Sequence, residues 1–243
     1  MSPSGPLHPD TPTSPIGTPG KGHHAEQFGS REQQVFARSF GMWVFIASEF
    51  LFFGPLLFAY FYLRLHFPEA CAAASRHTDF LAGTVNTAVL LTSSLLAALA
   101  GHAAEAEGAG AGRRAARLLV ATAALGLVFL ALKGYEYHGE FAEHLFPGAG
   151  FRPEGVLDDR LRGGMELFFL LYFLMTGLHA LHLSVGIGAC LWLAAGLRHP
   201  PEGGADPGPD KEAVELAGLY WHFVDVVWVF LYPLLYLVGR AGA

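Results

Sequence analysis

The stretch GLYWHFVDVVWVFLYPLLY, residues 218–236, decides the fold of this chain. It is apolar over a length that can cross a bilayer, yet it carries His222 and Asp225 one helical turn apart. A charged carboxylate inside hydrocarbon costs at least about 2.5 to 3.5 kcal/mol. Such a residue needs a protein partner or a function, so the other segments of the chain have to be arranged around it.

The rest of the sequence has the composition of a membrane protein. Hydrophobic residues make up 52% of the 243 positions and charged residues 15%, and the apolar residues come in long blocks. This predicts an all-α integral membrane protein, a bundle of five transmembrane helices within residues 36–243. The predicted spans are about 40–65, 80–103, 118–137, 165–197 and 214–239. Residues 1–35 are rich in Pro, Gly, Ser and Thr, which predicts a disordered polar tail without a secretory signal.

Several functional classes are excluded. The formal net charge is -6 and no basic patch is present, so nucleic acid is not the expected partner. No Walker loop, dinucleotide-binding glycine pattern, serine nucleophile elbow or HExxH motif occurs. The helix order places Cys71 and Cys190 too far apart for a disulfide. We therefore predict no catalytic residue in this chain.

Polar residues recur inside the predicted spans. If the spans alternate in direction, Glu49, the pair His179 and His182, and the pair His222 and Asp225 fall in one layer near mid-membrane. Three interpretations stay open: a metal site built from facing helices, an ion or proton pathway, or side chains that hydrogen-bond one another and fix helix packing. Physical reasoning alone favours the third, so we predict no metal site.

Other residues are assigned to packing or to the lipid interface. Small residues recur every fourth position in two spans, which predicts close helix contacts there. Lys133 and Glu136 are spaced to meet on one helix face beside tyrosines suited to the headgroup layer, so we interpret them as an interface anchor. The small-residue rows are Ser93, Ala97, Gly101 and Ala180, Ser184, Gly188, and the tryptophans assigned to the interface are Trp221 and Trp228.

Five segments together resemble one known family. The sequence YWHFVDVVWVFLY (220–232) is similar to the last-helix signature of subunit III of haem–copper oxidases. The other four segments resemble further helices of that family in the same order: FIASEFLFF (45–53), VNTAVLLTSS (85–94), LKGYEY (132–137) and TGLHALHLSVG (176–186). The resemblance covers about Phe40 to Arg240. It matches the shorter, five-span bacterial type rather than the seven-span mitochondrial form.

The resemblance implies a role inside a respiratory oxidase. It implies a non-catalytic subunit beside a catalytic subunit I and a subunit II, with a small subunit IV as a further partner. Haem and copper would lie in the partner subunits, and this chain would bind phospholipid and support proton uptake and the durability of the proton-pumping complex. The intramembrane glutamate of the family maps onto Glu49, the paired histidines onto His179 and His182, and the last-helix motif onto Trp221, His222 and Asp225.

The resemblance also implies where the protein lies in the cell. The resemblance implies a bacterial plasma membrane protein with a cytoplasmic amino terminus and an outside carboxyl terminus, and the distribution of arginines agrees weakly with this orientation.

Two alternative functions stay open. The first is an accessory subunit of a nitric oxide reductase, which would differ from an oxidase subunit in its catalytic partner. The second is a stand-alone protein. A stand-alone proton channel or transporter would move protons or a solute when purified alone in liposomes.

Overall fold

The computed structural model describes residues 31–106, 110–198 and 211–240. The helices within these ranges are α1 (Arg31–His66), α2 (Pro68–His77), α3 (Phe80–Glu105), α4 (Ala111–Ala142), α5 (Asp159–Arg198) and α6 (Lys211–Tyr232). A π-helical turn, Pro233–Leu237, extends α6. The predicted all-α fold is confirmed over the part of the chain that the structure describes.

Five segments are long and apolar enough to cross a membrane: Phe36–His66, Phe80–Glu105, Ala111–Ala142, Asp159–Arg198 and Lys211–Leu237. The five predicted spans are therefore confirmed. The third is much longer than predicted, because the helix continues through the polar residues on both sides of its apolar centre. It begins after Gly110, whose φ of 109° is a conformation that glycine adopts without strain.

The chain divides after Arg38 into two compact units. In the first unit the structure describes only residues 31–38, which belong to α1. Residues 1–30 of the predicted polar tail therefore lie outside the described residues. Its remaining residues, 31–35, are helical. All contacts described below lie within residues 39–240 of the second unit.

The connection between the first two spans, to which no structure was assigned from the sequence, is a short helix. Pro68 occupies the first turn of α2, where its fixed φ suits a helix and its missing N–H needs no partner. The alanine-rich sequence that follows has high helix propensity. The buried face of α2 packs against α5, where Gly164 leaves room for Ala70. Asp79 then caps α3 by accepting a hydrogen bond from the Ala82 N–H at 3.0 Å.

Helices α3, α4, α5 and α6 form the core bundle. Trp221 Nε1 donates to Ser93 Oγ at 3.1 Å, and Trp228 Nε1 donates to Thr87 Oγ1 at 3.1 Å. These two pairs run in opposite order along α3 and α6, so the two helices are antiparallel. On α4, Gly126 permits close approach, since a Cβ there would lie 2.9 Å from the Trp221 ring.

Helix α1 lies at the edge of this bundle. Its apolar window is 11% buried, against 28% or more for each of the other four spans. Phe45 contacts the ring of Tyr220 on α6, and Phe53 contacts His182 on α5. Farther along, the Tyr60 hydroxyl donates to the Leu234 carbonyl. Most of the apolar surface of α1 is therefore left for lipid or for a partner.

Arg240 fastens the end of the chain to α2. Its guanidinium donates to the carbonyls of Ser75 at 2.9 Å, Thr78 at 2.9 Å and Tyr236 at 2.7 Å. The Gly239 N–H donates to Ser75 Oγ at 2.6 Å. The carbonyls at the carboxyl-terminal end of α2 thus gain charged hydrogen-bond donors, which joins the last span to the connection between the first two.

The two predicted rows of small residues have different outcomes. In α3, Ser93 and Ala97 are buried in the bundle, as expected of a packing face. In α5, Ser184 and Gly188 are exposed, so this part of the second row does not pack against a helix of the described chain. The reason is that the larger Leu183 faces inward instead and fills the interior. A small-residue period alone does not determine which face turns inward.

Candidate functional site

Glu49 and His182 form an ion pair between α1 and α5. Glu49 Oε2 lies 2.9 Å from His182 Nε2, and the two side chains are 16% and 15% exposed. His182 Nδ1 lies 2.8 Å from the Leu178 carbonyl, and Phe53 packs against the ring. The pair therefore has a fixed geometry, although it lies at the edge of the bundle.

The contacts of His182 orient its ring. A carbonyl only accepts hydrogen bonds, so Nδ1 must carry a proton to donate to Leu178. Nε2 then faces Glu49 Oε2 at 2.9 Å, although this oxygen has no aligned hydrogen-bond partner within the described part of the chain. An imidazole and a carboxyl group thus lie side by side within a span, and both are groups that can take part in proton transfer.

His179 does not join His182 in a shared site. Its ring lies 5.4 Å from that of Phe129 and 5.1 Å from that of Trp228, measured between centroids. The residue is 1% exposed, and neither ring nitrogen has a hydrogen-bond partner in the part of the chain that the structure describes. Residues three apart on a helix differ in direction by only about 60°, yet His179 points into the bundle beside Trp228 while His182 points towards Glu49 on α1.

His222 and Asp225 both lie near Ser94 of α3. His222 Nδ1 lies 2.6 Å from Ser94 Oγ on α3. Asp225 is 3% exposed, and neither carboxyl oxygen has a hydrogen-bond partner among the described residues. Asp225 is thus not the acceptor for His222.

The expected mid-membrane layer therefore separates into three places. Glu49 and His182 form an ion pair, His222 and Asp225 lie near Ser94 of α3, and His179 lies apart from both pairs within the bundle. Across residues 31–106, 110–198 and 211–240, no group of three or more His, Cys, Asp or Glu side chains is placed to hold a metal ion. The sequence identified the polar residues of the spans but not their grouping.

A second ion pair lies deep in the bundle. Lys133 Nζ donates to Glu136 Oε2 at 3.0 Å and to the hydroxyls of Tyr172 and Tyr236, each at 2.8 Å. The two hydroxyls in turn donate to Glu136 Oε1, at 3.0 Å from Tyr172 and 2.7 Å from Tyr236. Each tyrosine therefore accepts from the cation and donates to the anion. Such a closed network meets the requirement that a buried charge be both paired and hydrogen-bonded.

This network corrects the assignment of four residues to the lipid interface. Lys133 and Glu136 are 4% and 6% exposed, and Trp221 and Trp228 are 1% and 0% exposed. Trp221 turns inward because Gly126 and Gly186 on neighbouring helices leave space for its ring, and Trp228 packs edge-on against Phe129. Lys133 is held inside because the tyrosine hydroxyls and the aromatic rings around it replace water.

Sequence reasoning missed Glu140, which lies one turn beyond this network. Glu140 is 4% exposed, and neither carboxyl oxygen has a hydrogen-bond partner within the described residues. It borders a cavity of about 200 Å³, together with His77, Asp79 and Glu143. A signal was present, since Lys133, Glu136 and Glu140 recur at helical spacing on one face of α4.

Comparison with known proteins identifies the family. A family model described as "Cytochrome c oxidase subunit III" matches residues 165–240, which cover most of α5 and all of α6. "Cytochrome c oxidase subunit 3" of Thermostichus vulcanus is 32% identical over 84% of this chain and 88% of that protein. The chain belongs to the subunit III family of haem–copper oxidases. The resemblance noted from the sequence motifs is thereby confirmed, and the chain is a multi-pass membrane subunit of such an oxidase.

Two further relatives of this chain belong to oxidases with other names. "Probable quinol oxidase subunit 3" of Staphylococcus aureus (strain USA300) is 26% identical over 89% of this chain and 96% of that protein. "Heme-copper oxidase subunit I+III" of Aeropyrum pernix is 32% identical over 81% of this chain but only 22% of that longer protein. Both cytochrome c oxidases and quinol oxidases are therefore represented among the relatives of this subunit III.

Proposed function

We propose that this chain is a non-catalytic subunit that supports proton uptake by the oxidase and prolongs the working life of its oxygen-reducing centre. Haem and copper would be held by the partner subunits, as the family resemblance implies. The observation that carries the proposal is the pair of Glu49 and His182. It places an imidazole and a carboxyl group side by side inside a span, on the edge of the bundle that most of α1 leaves open.

The partners and location follow from the same proposal. A catalytic subunit I would be the main neighbour, and the relative named "subunit I+III" supports this choice. A subunit II and a small subunit IV would complete the complex in a bacterial plasma membrane, with phospholipid between the helices. The arginines Arg113, Arg114 and Arg117 at the start of α4 support a cytoplasmic amino terminus, since cationic loops favour that side.

The test compares the oxidase with and without this chain. The complex is purified from cells that express the parent chain and from cells that lack it, and oxygen consumption is followed over many turnovers. We expect similar initial rates, because the redox centres lie elsewhere, but faster inactivation and weaker proton pumping without the chain. Equal working lifetimes and equal pumping in the two preparations would contradict the proposal.

A further inference from the structure

Glu140 lies in the last turn of α4, on the same helix face as Lys133 and Glu136. The side chains of Lys133, Glu136 and Glu140 are 4%, 6% and 4% exposed. Glu140 also lies near the hydroxyl of Tyr172 on α5, without an aligned hydrogen bond to it. Its carboxyl group therefore adjoins the closed network of Lys133, Glu136, Tyr172 and Tyr236 but takes no part in it.

The network has no hydrogen-bond donor left for Glu140. A lysine ammonium has three N–H donors, and those of Lys133 go to Glu136, Tyr172 and Tyr236. Each tyrosine hydroxyl has one proton, and both of these protons point to Glu136 Oε1. An ionised carboxylate at position 140 would therefore be buried without a donor from the network. Burying an unpaired charge is far more costly than burying a neutral acid.

The charges around Glu140 also oppose a carboxylate at this position. Among the described groups that face it, Lys133 is the one Lys or Arg, and Glu136 already neutralises that cation. The carboxyl-terminal end of a helix carries a partial negative charge, and α4 ends at Ala142. The titratable groups that face Glu140 or share its cavity are Lys133, Glu136 and Tyr137 on α4, Glu143 just beyond it, Tyr172 on α5, Tyr236 in the π-helical turn, and Tyr135, His138, His77 and Asp79 around the cavity.

The cavity of about 200 Å³ beside Glu140 gives protons a way to this buried group. It lies where α2 and α4 end, and its lining includes His77 and Glu143. The side chains of His77 and Glu143 are 32% and 62% exposed, and His77 Nδ1 lies 3.9 Å from Glu143 Oε2. An imidazole and a carboxyl group that both contact water can pass protons between water and the cavity.

We propose that Glu140 is a proton-binding site, held as a neutral carboxylic acid in the folded chain and exchanging its proton with water through this cavity. Loss of the proton places a second buried carboxylate beside Lys133, where it competes with Glu136 for the ammonium. The network joins α4 to α5 and to the π-helical turn that extends α6, so the contacts between these segments weaken as the pH rises. The site belongs to this chain alone and does not depend on the proposed role in the oxidase.

A proton held by Glu140 makes the stability of the folded chain depend on pH in one direction. A glutamate in an unfolded chain ionises at about pH 4.3. Above that pH, a folded chain in which Glu140 keeps its proton binds one proton more than the unfolded chain. The unfolding equilibrium constant then rises about tenfold for each pH unit, until Glu140 ionises in the folded chain as well. Glu140→Gln keeps a neutral group of similar shape and removes this contribution.

Unfolding of the full-length chain at several pH values tests the site. The purified parent chain and its variants are unfolded from mild detergent by a denaturing detergent, followed by circular dichroism, between about pH 5 and pH 8. We expect Glu140→Gln to gain stability relative to the parent by up to about tenfold in the unfolding equilibrium constant for each pH unit. Glu154→Gln is the matched control, because Glu154 is exposed in the connection between α4 and α5. Its ratio to the parent should stay constant with pH.

Infrared spectroscopy of the same samples detects the proton itself. A protonated carboxyl group has a C=O stretching band at higher frequency than the bands of a carboxylate. We expect this band in the parent-minus-variant difference spectrum for Glu140→Gln at neutral pH, and not in that for Glu154→Gln. A purely structural role of Glu140 would change stability equally at every pH. Equal pH dependence of the parent and Glu140→Gln would therefore overturn the proposal, as would a difference spectrum without the band of a protonated acid.

Discussion

Removing Lys133 should destabilise the helix bundle strongly. The change Lys133→Met keeps the length of the side chain and removes three hydrogen bonds, to Glu136, Tyr172 and Tyr236. At about 0.6 kcal/mol for each hydrogen bond inside a membrane protein, this alone costs roughly 2 kcal/mol. The carboxylate of Glu136 is also left buried without its cation. Breaking a buried pair from one side typically costs about 3 to 5 kcal/mol, which is the loss we expect.

The double variant is more informative than either single change. If Glu136→Leu accompanies Lys133→Met, no charge of the pair stays buried. The hydroxyls of Tyr172 and Tyr236 lie 3.4 Å apart and can then hydrogen-bond each other. Replacing both members of a buried pair by apolar residues is often neutral or stabilising. We therefore expect the double variant to be more stable than either single variant.

The assay is reversible unfolding of the purified chain from mild detergent by a denaturing detergent, followed by circular dichroism. Arg162→Ala provides the control, because its partner Asp159 is 86% exposed and such surface pairs contribute about 0 to 1 kcal/mol. A loss below about 1 kcal/mol for Lys133→Met would match the surface pair and refute a buried, satisfied network. A double variant whose loss equals the sum of the single losses would refute the coupling between the two residues.

Three further predictions concern other parts of the molecule. Glu49→Gln should leave assembly intact, because an amide can still donate to His182 Nε2. It should, however, shorten the lifetime of the oxidase or reduce proton uptake. Unchanged lifetime and unchanged pumping would show that the carboxyl group of Glu49 has no such role. Gly126→Ala should cost about 1 to 3 kcal/mol in unfolding free energy, because its Cβ would lie 2.9 Å from the Trp221 ring, whereas Gly101→Ala has open space and should not. Burial raises the pKa of the Cys71 thiol to about 11. Alkylation by iodoacetamide at pH 8 should therefore be much slower than for free cysteine, and it should accelerate as the pH rises towards 11. Rapid labelling of the folded chain at pH 8 would contradict the burial.

The spans and the family were predictable from sequence because both depend on local signals. A long apolar block with few charges identifies a membrane helix without any knowledge of its neighbours. The motif around His222 and Asp225 likewise lies within one helix, so its resemblance to the family signature needed no structure. The short helix α2 was missed because its segment contains proline and polar residues, although Pro68 is at the position where a helix tolerates it.

The grouping of the polar residues was not predictable in the same way. Whether two side chains on different helices meet depends on the rotation of each helix about its own axis. His179 and His182 are three residues apart, yet one lies beside Trp228 and the other beside Glu49. The partners of Lys133 include Tyr236, which is 103 residues away along the chain. No pattern within one helix indicates a contact between residues so far apart in the sequence. Tyr172 and Tyr236 cannot be distinguished by sequence from the other aromatic residues of their spans.

A chain that works as a subunit of a haem–copper oxidase has to purify together with the haem and copper of its partners. The most direct measurement adds an affinity tag at the carboxyl terminus, extracts the protein from its own membranes in mild detergent, and records the visible spectrum and metal content of the purified material. We expect haem absorption bands, copper and larger partner subunits in constant proportion to the tagged chain. A colourless preparation, obtained while haem and copper stay together in the untagged fraction, would contradict it.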